Sequence, residues 1–376
     1  MHYVLKTKGK VMTDTHFYTL NIADVQPETD TAICVSFDIP EALSATFKFI
    51  QGQFLTLRAT IDNQEIRRSY SICSGINDSH MRIGIKRVKE GRFSNFANDH
   101  FTPGMPIEVM PPQGSFYTTL DANQVKNYMC IAVGSGITPM ISIIKSVLDT
   151  EKNSTLTLLY GNRRSNSVMF KDELNFIKNR YMSRFHWINI MNHEDQGADL
   201  LNGIIDNAKG FSLQKAGLIN IKNVDEAFIC GPEAMMSEVS RGFRTEGLLE
   251  AQIHYELFAN SSDDAKAMLE KAQQRKATFG EEKTSKVTVV ADGRSIQFDL
   301  ATVGENILDA GMHNGLELPY ACKAGVCSTC KCKLIKGEVD MDITHGLEPH
   351  EIDSGYILSC QAHPISNEVI VDFDQR

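Results

Sequence analysis

The spacing of the cysteines near the C-terminus constrains this chain more than any other feature. Cys322, Cys327, Cys330 and Cys332 lie in the segment CKAGVCSTCKC, and Cys360 follows in GYILSCQAHP. Four explanations of these cysteines are considered: a disulfide cluster, a zinc site, an iron-sulfur cluster, or a coincidence of small buried residues. Structural zinc sites usually present two close pairs of ligands, which this run lacks. The pattern C-x4-C-x2-C with a remote fourth cysteine is the plant-type 2Fe-2S spacing, and it predicts ligation by Cys322, Cys327, Cys330 and Cys360.

Other residues of this segment fit the same interpretation. Ala324 and Gly325 have little or no side chain, so backbone N–H groups can approach the sulfur atoms and tune the cluster. Cys332 is surplus to the spacing, and we predict a buried strand residue there, with a substitute ligand as the alternative. The remaining cysteines are expected to be small core residues: Cys34, Cys73, Cys130 and Cys230.

Composition narrows the class of protein further. A chain of 376 residues is expected to hold two or three domains. The net charge of -9 argues against a nucleic-acid partner, which normally needs a basic face. The chain shows neither an apolar signal-peptide core nor a run of the roughly 18 apolar residues that a membrane span needs. We therefore expect a soluble, cytoplasmic protein that is not an integral membrane protein, with its cysteines reduced or bound to metal.

Changes in composition divide the chain into four predicted ranges. Residues 13–118 contain short alternating segments broken by turns, which is typical of an antiparallel β-barrel. Residues 119–258 alternate strands with helices, which predicts a parallel, doubly wound sheet. Residues 259–283 are polar and charged, and are interpreted as an interdomain linker with a helical turn. Residues 284–376 are expected to form a small α+β module around the cysteine loop.

Turn and cap signals place individual elements within these ranges. Asp292-Gly293 predicts the turn of a β-hairpin, and the short helix that follows is expected to end near Asn314-Gly315. In the parallel-sheet range, helices are predicted from Pro139, from Lys171 and at Glu233.

A glycine turn follows the first strand of the parallel-sheet range, in MCIAVGSGITPM. Gly134 and Gly136 lead into the predicted helix, with Thr138 as the candidate N-cap. Such a turn directs backbone N–H groups and the positive end of the helix toward a phosphate. Its position at the first strand-helix junction favours a dinucleotide pyrophosphate, although a purely structural turn would use the same residues.

The next strand ends in YGNRRSNS, which bears on the choice of nucleotide. An NAD-selective site often places an acidic residue there for the ribose 2′-hydroxyl. Arg163 and Arg164 stand there instead, and guanidinium groups match a 2′-phosphate. NADPH is therefore predicted over NADH, which remains possible, and two solvated surface arginines are the alternative interpretation.

A second candidate ligand site lies in the β-rich range. Arg68 and Arg92 could neutralise phosphate charge, Tyr70 could stack on an aromatic ring, and Ser71 and Ser94 could donate hydrogen bonds. From these residues alone, a ligand site and an ordinary barrel with surface arginines are equally supported.

Five motifs resemble the ferredoxin-NADP reductase superfamily. They are GQF at 52–54, RSYS at 68–71, GRFSN at 91–95, GSGITPM at 134–140 and CGPEAM at 230–235. With the C-terminal cluster segment, the domain order is similar to that of the phenylacetyl-CoA epoxidase reductase family. The resemblance implies an FAD-binding antiparallel β-barrel, a Rossmann-like NAD(P)-binding sheet and a β-grasp 2Fe-2S ferredoxin domain.

The same resemblance implies roles for individual residues. Arg68, with Ser69 beside it, would meet the flavin pyrophosphate, Tyr70 would stack on the isoalloxazine ring and Ser71 would hydrogen-bond near N5. A further set of residues would hold the ribityl and diphosphate groups: Ile85, Lys86, Val88, Gly91, Arg92, Phe93 and Ser94. The turn at 91–94 favours FAD over FMN. The nicotinamide would face Thr138 and Cys230, whereas Glu256 and Phe258 would border the flavin ring. Ser71 and Glu256 are the two candidate catalytic residues.

These cofactors imply electron transfer. A nicotinamide delivers two electrons as hydride, a 2Fe-2S centre accepts one at a time, and a flavin can mediate between them. The leading hypothesis is an NAD(P)H-dependent reductase for a partner oxygenase, foremost a diiron acyl-CoA epoxidase of the phenylacetyl-CoA type. The alternatives are electron donation to a fatty-acyl desaturase or another terminal acceptor, and a redox sensor, which the absence of a recognisable output module disfavours. No histidine is assigned a catalytic role.

Overall fold

The computed structural model describes residues 16–258, 262–280 and 283–375. Three sheets follow one another along the chain: an antiparallel barrel, a parallel sheet with helices, and a small mixed sheet. We refer to them as the barrel, the parallel-sheet domain and the C-terminal module. In the described part of the chain, no helix combines the length and apolarity needed to cross a membrane.

The barrel confirms the predicted antiparallel architecture. Its sheet has the strand order β4-β3-β6-β1-β2-β5. A bridge between Ile72 and Ile83, just beyond β4 and within β5, brings the two edges of the sheet together. Its elements are β1 Tyr18–Thr29, β2 Ala32–Asp38, β3 Phe54–Ile61, β4 Gln64–Ser71, β5 Met81–Lys86, helix α1 Arg92–His100 and β6 Pro106–Gln113.

The parallel-sheet domain confirms the predicted alternation of strands and helices. Its strand order is β11-β10-β7-β8-β9, so the direction of strand addition switches between the neighbours β7 and β10, where ligands bind in doubly wound folds. Its elements are β7 Asn127–Val133, α2 Ile137–Thr150, β8 Thr155–Asn162, α3 Lys171–Arg180, β9 Phe185–Met191, α4 Asn207–Lys215, β10 Glu226–Cys230, α5 Glu233–Thr245 and β11 Ile253–Glu256. The helices predicted at Lys171 and Glu233 begin there, whereas α2 begins two residues before Pro139.

The polar range predicted as a linker contains a long helix. Helix α6 runs over Ser262–Phe279, which exceeds the single helical turn expected from the sequence. Residues 259–261 and 281–282 of this range lie outside the described residues. Arg275 of α6 is 4% exposed and donates to carboxylates of Asp340 and Asp342, each at 2.6 Å. Lys271 donates to the carbonyl of Met341 at 2.6 Å, so α6 packs on the C-terminal module.

The C-terminal module is a mixed sheet of strand order β13-β12-β18-β14-β16, with a separate pair β15-β17. The predicted hairpin is confirmed, and Asp292 and Gly293 at its turn have positive φ angles of 51° and 70°. The predicted short helix is also confirmed as α7. Its elements are β12 Thr284–Ala291, β13 Arg294–Ala301, α7 Ile307–His313, β14 Lys331–Lys336, β15 Val339–Met341, α8 Pro349–Asp353, β16 Tyr356–Leu358, β17 Ala362–Pro364 and β18 Glu368–Asp372.

Charged side chains join the barrel to the parallel-sheet domain. Arg82 of β5 donates to Glu173 of α3 at 2.8 Å, and Lys145 of α2 bridges Glu173 and Asp78 at 2.5 Å. All four side chains are no more than 25% exposed, so water screens these pairs less than it screens surface pairs. This network fixes the cleft between the barrel and the parallel sheet.

Candidate redox site

The four predicted cluster ligands converge in the C-terminal module. The thiols of Cys322 and Cys327 hydrogen-bond to each other, and the thiols of Cys330 and Cys360 form a second hydrogen-bonded pair. No group of three or more His, Cys, Asp or Glu side chains in the described part of the chain surrounds a single metal-ion position. Two thiol pairs suit a binuclear centre, in which each iron takes two protein ligands.

The loop that carries three of these thiols also presents backbone donors to sulfur. Ala324 N lies 3.3 Å from Cys322 Sγ, and Cys322 N lies 3.5 Å from Cys327 Sγ. The bond from Cys327, together with the amides of Ala324, Val326 and Cys327, lowers the pKa of Cys322 to about 6, against the opposing effect of burial. A thiolate is the form that binds iron, so this environment fits a cluster ligand.

Backbone shape explains why small residues occupy the loop. Gly325 has a φ of +72°, and a Cβ atom there would lie 2.9 Å from side-chain atoms of Ile343 and Gln361. Lys323 and Ser328 also adopt positive φ angles of 52°. The loop is thereby curled around the thiols, and its residues fit a 2Fe-2S cluster.

Cys332 is the cysteine that the ligand spacing leaves over. It is fully buried within β14, where it pairs with Ile357 of β16. This confirms the prediction of a buried strand residue. Cys34, Cys73, Cys130 and Cys230 are likewise all buried.

Strand β4 carries the first group of predicted flavin residues. Arg68 is exposed, and its guanidinium donates to the carbonyl of Arg67 at 2.7 Å. The hydroxyl groups of Ser69 and Thr56 lie 3.1 Å apart. Tyr70 packs its ring 5.8 Å from the ring of Phe93. The pyrophosphate candidate and the stacking candidate therefore lie at alternate positions along one strand.

The two candidate catalytic residues are in direct contact. Ser71 Oγ donates to Glu256 Oε2 at 3.0 Å, which joins the barrel to the last strand of the parallel sheet. Burial raises the pKa of Glu256 to about 8, and the bond from Ser71 partly opposes this effect. The carboxyl end of Glu256 is enclosed even though the residue as a whole keeps some contact with solvent. The pair can hold a proton near neutral pH and exchange it on a modest change of pH.

Cys230 links this pair to the glycine turn. It lies opposite Glu256 in the pairing of β10 with β11, and burial followed by the charge of Glu256 raises the pKa of its thiol. Gly136 approaches it so closely that a Cβ atom would lie 2.2 Å from the Cys230 carbonyl oxygen. The turn and the end of β10 therefore form one surface at the C-terminal edge of the sheet.

The predicted N-cap of α2 is wrong. Gly136 occupies the cap position and Thr138 lies inside the first turn, where its hydroxyl donates to the carbonyl of Ser135 at 3.0 Å. A 3-10 turn over Gly134–Gly136 precedes the helix, which moves the start of α2 to Ile137. Gly134 has a φ of +57°, a backbone conformation that glycine adopts without strain.

The predicted nucleotide-selecting arginines lie at the end of the second strand of the parallel sheet. Arg163 and Arg164 are exposed just beyond β8, and burial together with the charge of Arg163 lowers the pKa of Lys86. Glu194 is a residue that the sequence reasoning missed. Its carboxylate accepts from Ser165 N at 2.7 Å and interacts electrostatically with Arg164.

Residues predicted to hold the ribityl and diphosphate groups cluster around the start of α1. Ser94 Oγ accepts from Val88 N at 3.1 Å and donates to the carbonyl of Gly91 at 3.3 Å, which shapes the turn before the helix. Ile85 and Phe93 bury their side chains in the barrel core, leaving only their backbone for a ligand.

Two further candidates lie apart from this turn. Arg92 turns toward the β3-β4 loop, donating to Gln64 Oε1 at 2.7 Å and to the Ile61 carbonyl at 2.9 Å. Phe258 is 44% exposed just beyond β11.

A small cavity of about 50 Å³ lies where the parallel-sheet domain meets the cysteine loop. Glu256, Cys327 and Phe54 of the barrel all line it. Phe54 also forms a small apolar cluster with Ala321 and Cys327. One residue from each candidate redox site therefore borders the same cavity.

Three family models match successive parts of the chain. The Oxidoreductase FAD-binding domain matches residues 22–117, the Oxidoreductase NAD-binding domain matches 130–241, and the 2Fe-2S iron-sulfur cluster binding domain matches 289–364. Each match lies within one of the predicted domains, whose bounds stay predictions. Fold and site together define an electron-transfer oxidoreductase of the ferredoxin reductase type, with FAD-binding, NAD-binding and 2Fe-2S domains.

Curated relatives narrow this class to a family. The chain is 42% identical to a component of the 1,2-phenylacetyl-CoA epoxidase of Escherichia coli (strain K12), over 96% of this chain and 99% of the relative. It is 31% identical to the 3-ketosteroid-9-alpha-monooxygenase ferredoxin reductase component of Rhodococcus rhodochrous, over 94% and 96% of the two chains. The chain belongs to the family of these oxygenase components.

A solved structure shows the same fold. Phthalate dioxygenase reductase, described as a modular structure for electron transfer from pyridine nucleotides to [2Fe-2S], matches with a TM-score of 0.59 at 24% identity. The match covers 95% of this chain and 98% of that one. The barrel, the parallel sheet and the ferredoxin module of this chain thus form an established architecture.

Proposed function

We propose that this chain is the reductase of a phenylacetyl-CoA epoxidase-type system and delivers electrons from NADPH to a diiron oxygenase. The observation that carries the proposal is the cavity that Glu256 and Cys327 both line. The identity to the Escherichia coli component supports the choice of oxygenase. Bound FAD would supply hydride acceptance and one-electron release, and a cluster held by the four cysteines would supply one-electron transfer to the partner.

The residues of this chain bind and orient these groups. Tyr70 and Arg68 would hold the flavin ring and its pyrophosphate, and Thr138 and Cys230 would position the nicotinamide. Ser71 and Glu256 would form a proton-holding pair at the flavin site, because the pKa of about 8 keeps the Glu256 carboxyl protonated at neutral pH. The thiolates of Cys322, Cys327, Cys330 and Cys360 would bind the cluster. No disulfide joins the nine cysteines, all of which lie in the described part of the chain, and this suits a reducing compartment; we place the protein in the cytoplasm.

The preference for NADPH follows from charge at the end of β8. Arg163 and Arg164 are exposed and available to a 2′-phosphate, and guanidinium groups bind phosphate bidentately. Glu194 opposes this preference, since it occupies the Ser165 amide and places a carboxylate beside Arg164. The net preference therefore depends on a balance that single substitutions can shift in either direction.

Substitutions on the two sides of this balance test the nucleotide assignment. Replacing Arg163 and Arg164 together with Ala should raise the KM for NADPH about tenfold or more and leave the KM for NADH nearly unchanged. Glu194→Gln should lower the KM for NADPH, because it removes a negative charge near the 2′-phosphate. Equal changes for both nucleotides in either variant would refute the assignment.

Reconstitution tests the acceptor. Purified reductase, NADPH and the purified oxygenase of a phenylacetyl-CoA epoxidase should give epoxide formation that depends on all three components. A fatty-acyl desaturase in place of the oxygenase should turn over far more slowly. Faster turnover with the desaturase would reject the proposed partner while leaving the reductase chemistry intact.

A further inference from the structure

Arg67 of β4 bridges the barrel and the cluster loop. Its side chain is only 14% exposed, and its guanidinium lies 3.9 Å from the centre of the Tyr320 ring. Arg67 Nη1 also donates to the carbonyl of Tyr320 at 3.5 Å. On the barrel side, its Nε donates to Glu65 Oε1 at 2.8 Å. A cation lying over an aromatic ring and shielded from water is attracted to it more strongly than at an exposed site.

Tyr320 completes the contact from the C-terminal module. Its hydroxyl donates to Glu65 Oε1 at 3.4 Å, so Arg67 and Tyr320 share one carboxylate. Tyr320 stands two residues before the candidate ligand Cys322. The ring therefore anchors the start of the cluster loop on the edge of the barrel.

Strand pairing by itself does not favour an arginine at this position. Arg67 lies directly opposite Arg58 in the pairing of β3 with β4, and like charges in such cross-strand pairs are destabilising. Arg58 has its own partner in Glu108, at 2.5 Å. Within the barrel Arg67 contacts Glu65 and the Phe17 ring, at 5.0 Å from the ring centre, and its shorter ring contact, at 3.9 Å, is with Tyr320 of the other module.

The contact between Arg67 and Tyr320 lies on the strand that carries the candidate flavin residues, so it can affect electron transfer to the cluster. Arg67 is next to Arg68 and four residues before Ser71 on the same strand, which carries the candidate flavin residues. Phe54 provides a second, apolar contact with Ala321 and Cys327 on the other side of the loop. Polar and apolar contacts together fix the distance between the strand and the cluster loop, and electron tunnelling slows steeply as that distance grows.

We propose that the contact between Arg67 and Tyr320 docks the ferredoxin module on the barrel and thereby sets the rate of cluster reduction. Arg67 acts as a positioning residue. The inference rests on the reductase class and not on the identity of the oxygenase, so it can fail independently of the proposed partner.

The first test separates docking from flavin chemistry. The FAD- and cluster-loaded protein is mixed with NADPH in a stopped-flow instrument. In Arg67→Gln the cluster should become reduced about tenfold more slowly than in the wild type, which corresponds to about 1.4 kcal/mol. FAD content and the rate of flavin reduction should remain unchanged. Arg67→Lys should be intermediate, because it retains the charge without the planar stack. Arg241→Gln removes an arginine paired with Glu238 on α5 and serves as the control, with no change expected.

The second test measures docking without turnover. Hydrogen-deuterium exchange of peptides from residues 64–71 and 318–328 should quicken in Arg67→Gln and not in Arg241→Gln. A double-mutant cycle with Tyr320→Leu should show that the two losses overlap, since each removes the same contact. Iron and sulfide content of the Tyr320→Leu protein confirms that its cluster is assembled. Unchanged exchange, strictly additive losses or wild-type cluster reduction in Arg67→Gln would overturn the proposal.

Discussion

Gly136 is the position where one added methyl group should most directly perturb the nicotinamide site. In Gly136→Ala, the new Cβ would lie 2.2 Å from the carbonyl oxygen of Cys230 and 3.2 Å from its Sγ. Real Cβ atoms do not approach closer than 3.0 Å, so the turn and β10 must separate by about 0.8 Å. The φ of -60° at Gly136 suits alanine, which leaves this close contact as the cause of any effect.

The magnitude follows from packing and from catalytic geometry. Overpacking a well-packed interior typically costs about 1–3 kcal/mol, and each kcal/mol lowers the Tm of a domain of this size by about 3 °C. A displacement approaching 1 Å at a reacting centre can slow chemistry by about 100-fold. Gly136→Ala should therefore lower the Tm by about 3–9 °C and slow flavin reduction by NADPH by about 10- to 100-fold.

Gly210→Ala provides a matched control in the same domain. Gly210 lies within α4, and the nearest atom to its added Cβ would be Ile221 Cδ1 at 3.9 Å. Alanine should stabilise that helix by about 0.5–1 kcal/mol and leave flavin reduction unchanged. Thermal unfolding and stopped-flow flavin reduction measure both effects. Wild-type stability and rate in Gly136→Ala would refute the packing argument.

Three further predictions address the rest of the molecule. Arg275→Met should destabilise the C-terminal module by about 3–5 kcal/mol in chemical unfolding, because two aspartates lose their buried partner; a loss below about 1 kcal/mol would contradict this. Ser71→Ala should raise the pKa of Glu256 further above about 8, since Ser71 stabilises the ionised carboxylate, and the pH limb of flavin reduction should move to higher pH. An unmoved limb would remove Glu256 from that step. Cys332→Ser should retain the visible and EPR signals of the cluster, whereas Cys327→Ser should lose them; the reverse result would reassign the ligands.

Local sequence predicts the features that depend on neighbouring residues. Three of the four converging thiols lie in one short loop, and the hairpin turn at Asp292-Gly293 depends on two adjacent residues. The Rossmann-like alternation is likewise visible in strand and helix periodicity along the chain. These features need no knowledge of which distant segments meet.

Contacts between distant segments account for the features that the sequence did not predict. The polar composition of helix α6 indicates a linker because it lacks an apolar stripe, yet Arg275 and Lys271 attach the helix through polar contacts with residues more than 60 positions away. Glu194 meets Ser165 across 29 residues. Arg67 meets Tyr320 across 253 residues, and the only signal for it in the sequence is its place in the double arginine of RRSYS.

The order of electron flow is the central claim, and a cluster-free variant tests it most directly. Cys360→Ser should abolish the cluster signals while the barrel and the parallel-sheet domain keep FAD and NADPH binding. In steady-state turnover with NADPH, we expect this protein to reduce ferricyanide at close to the wild-type rate, because that acceptor can take electrons from the flavin. It should lose reduction of cytochrome c and of the oxygenase. Undiminished oxygenase turnover in a variant shown to lack the cluster would contradict the order from flavin to cluster to partner.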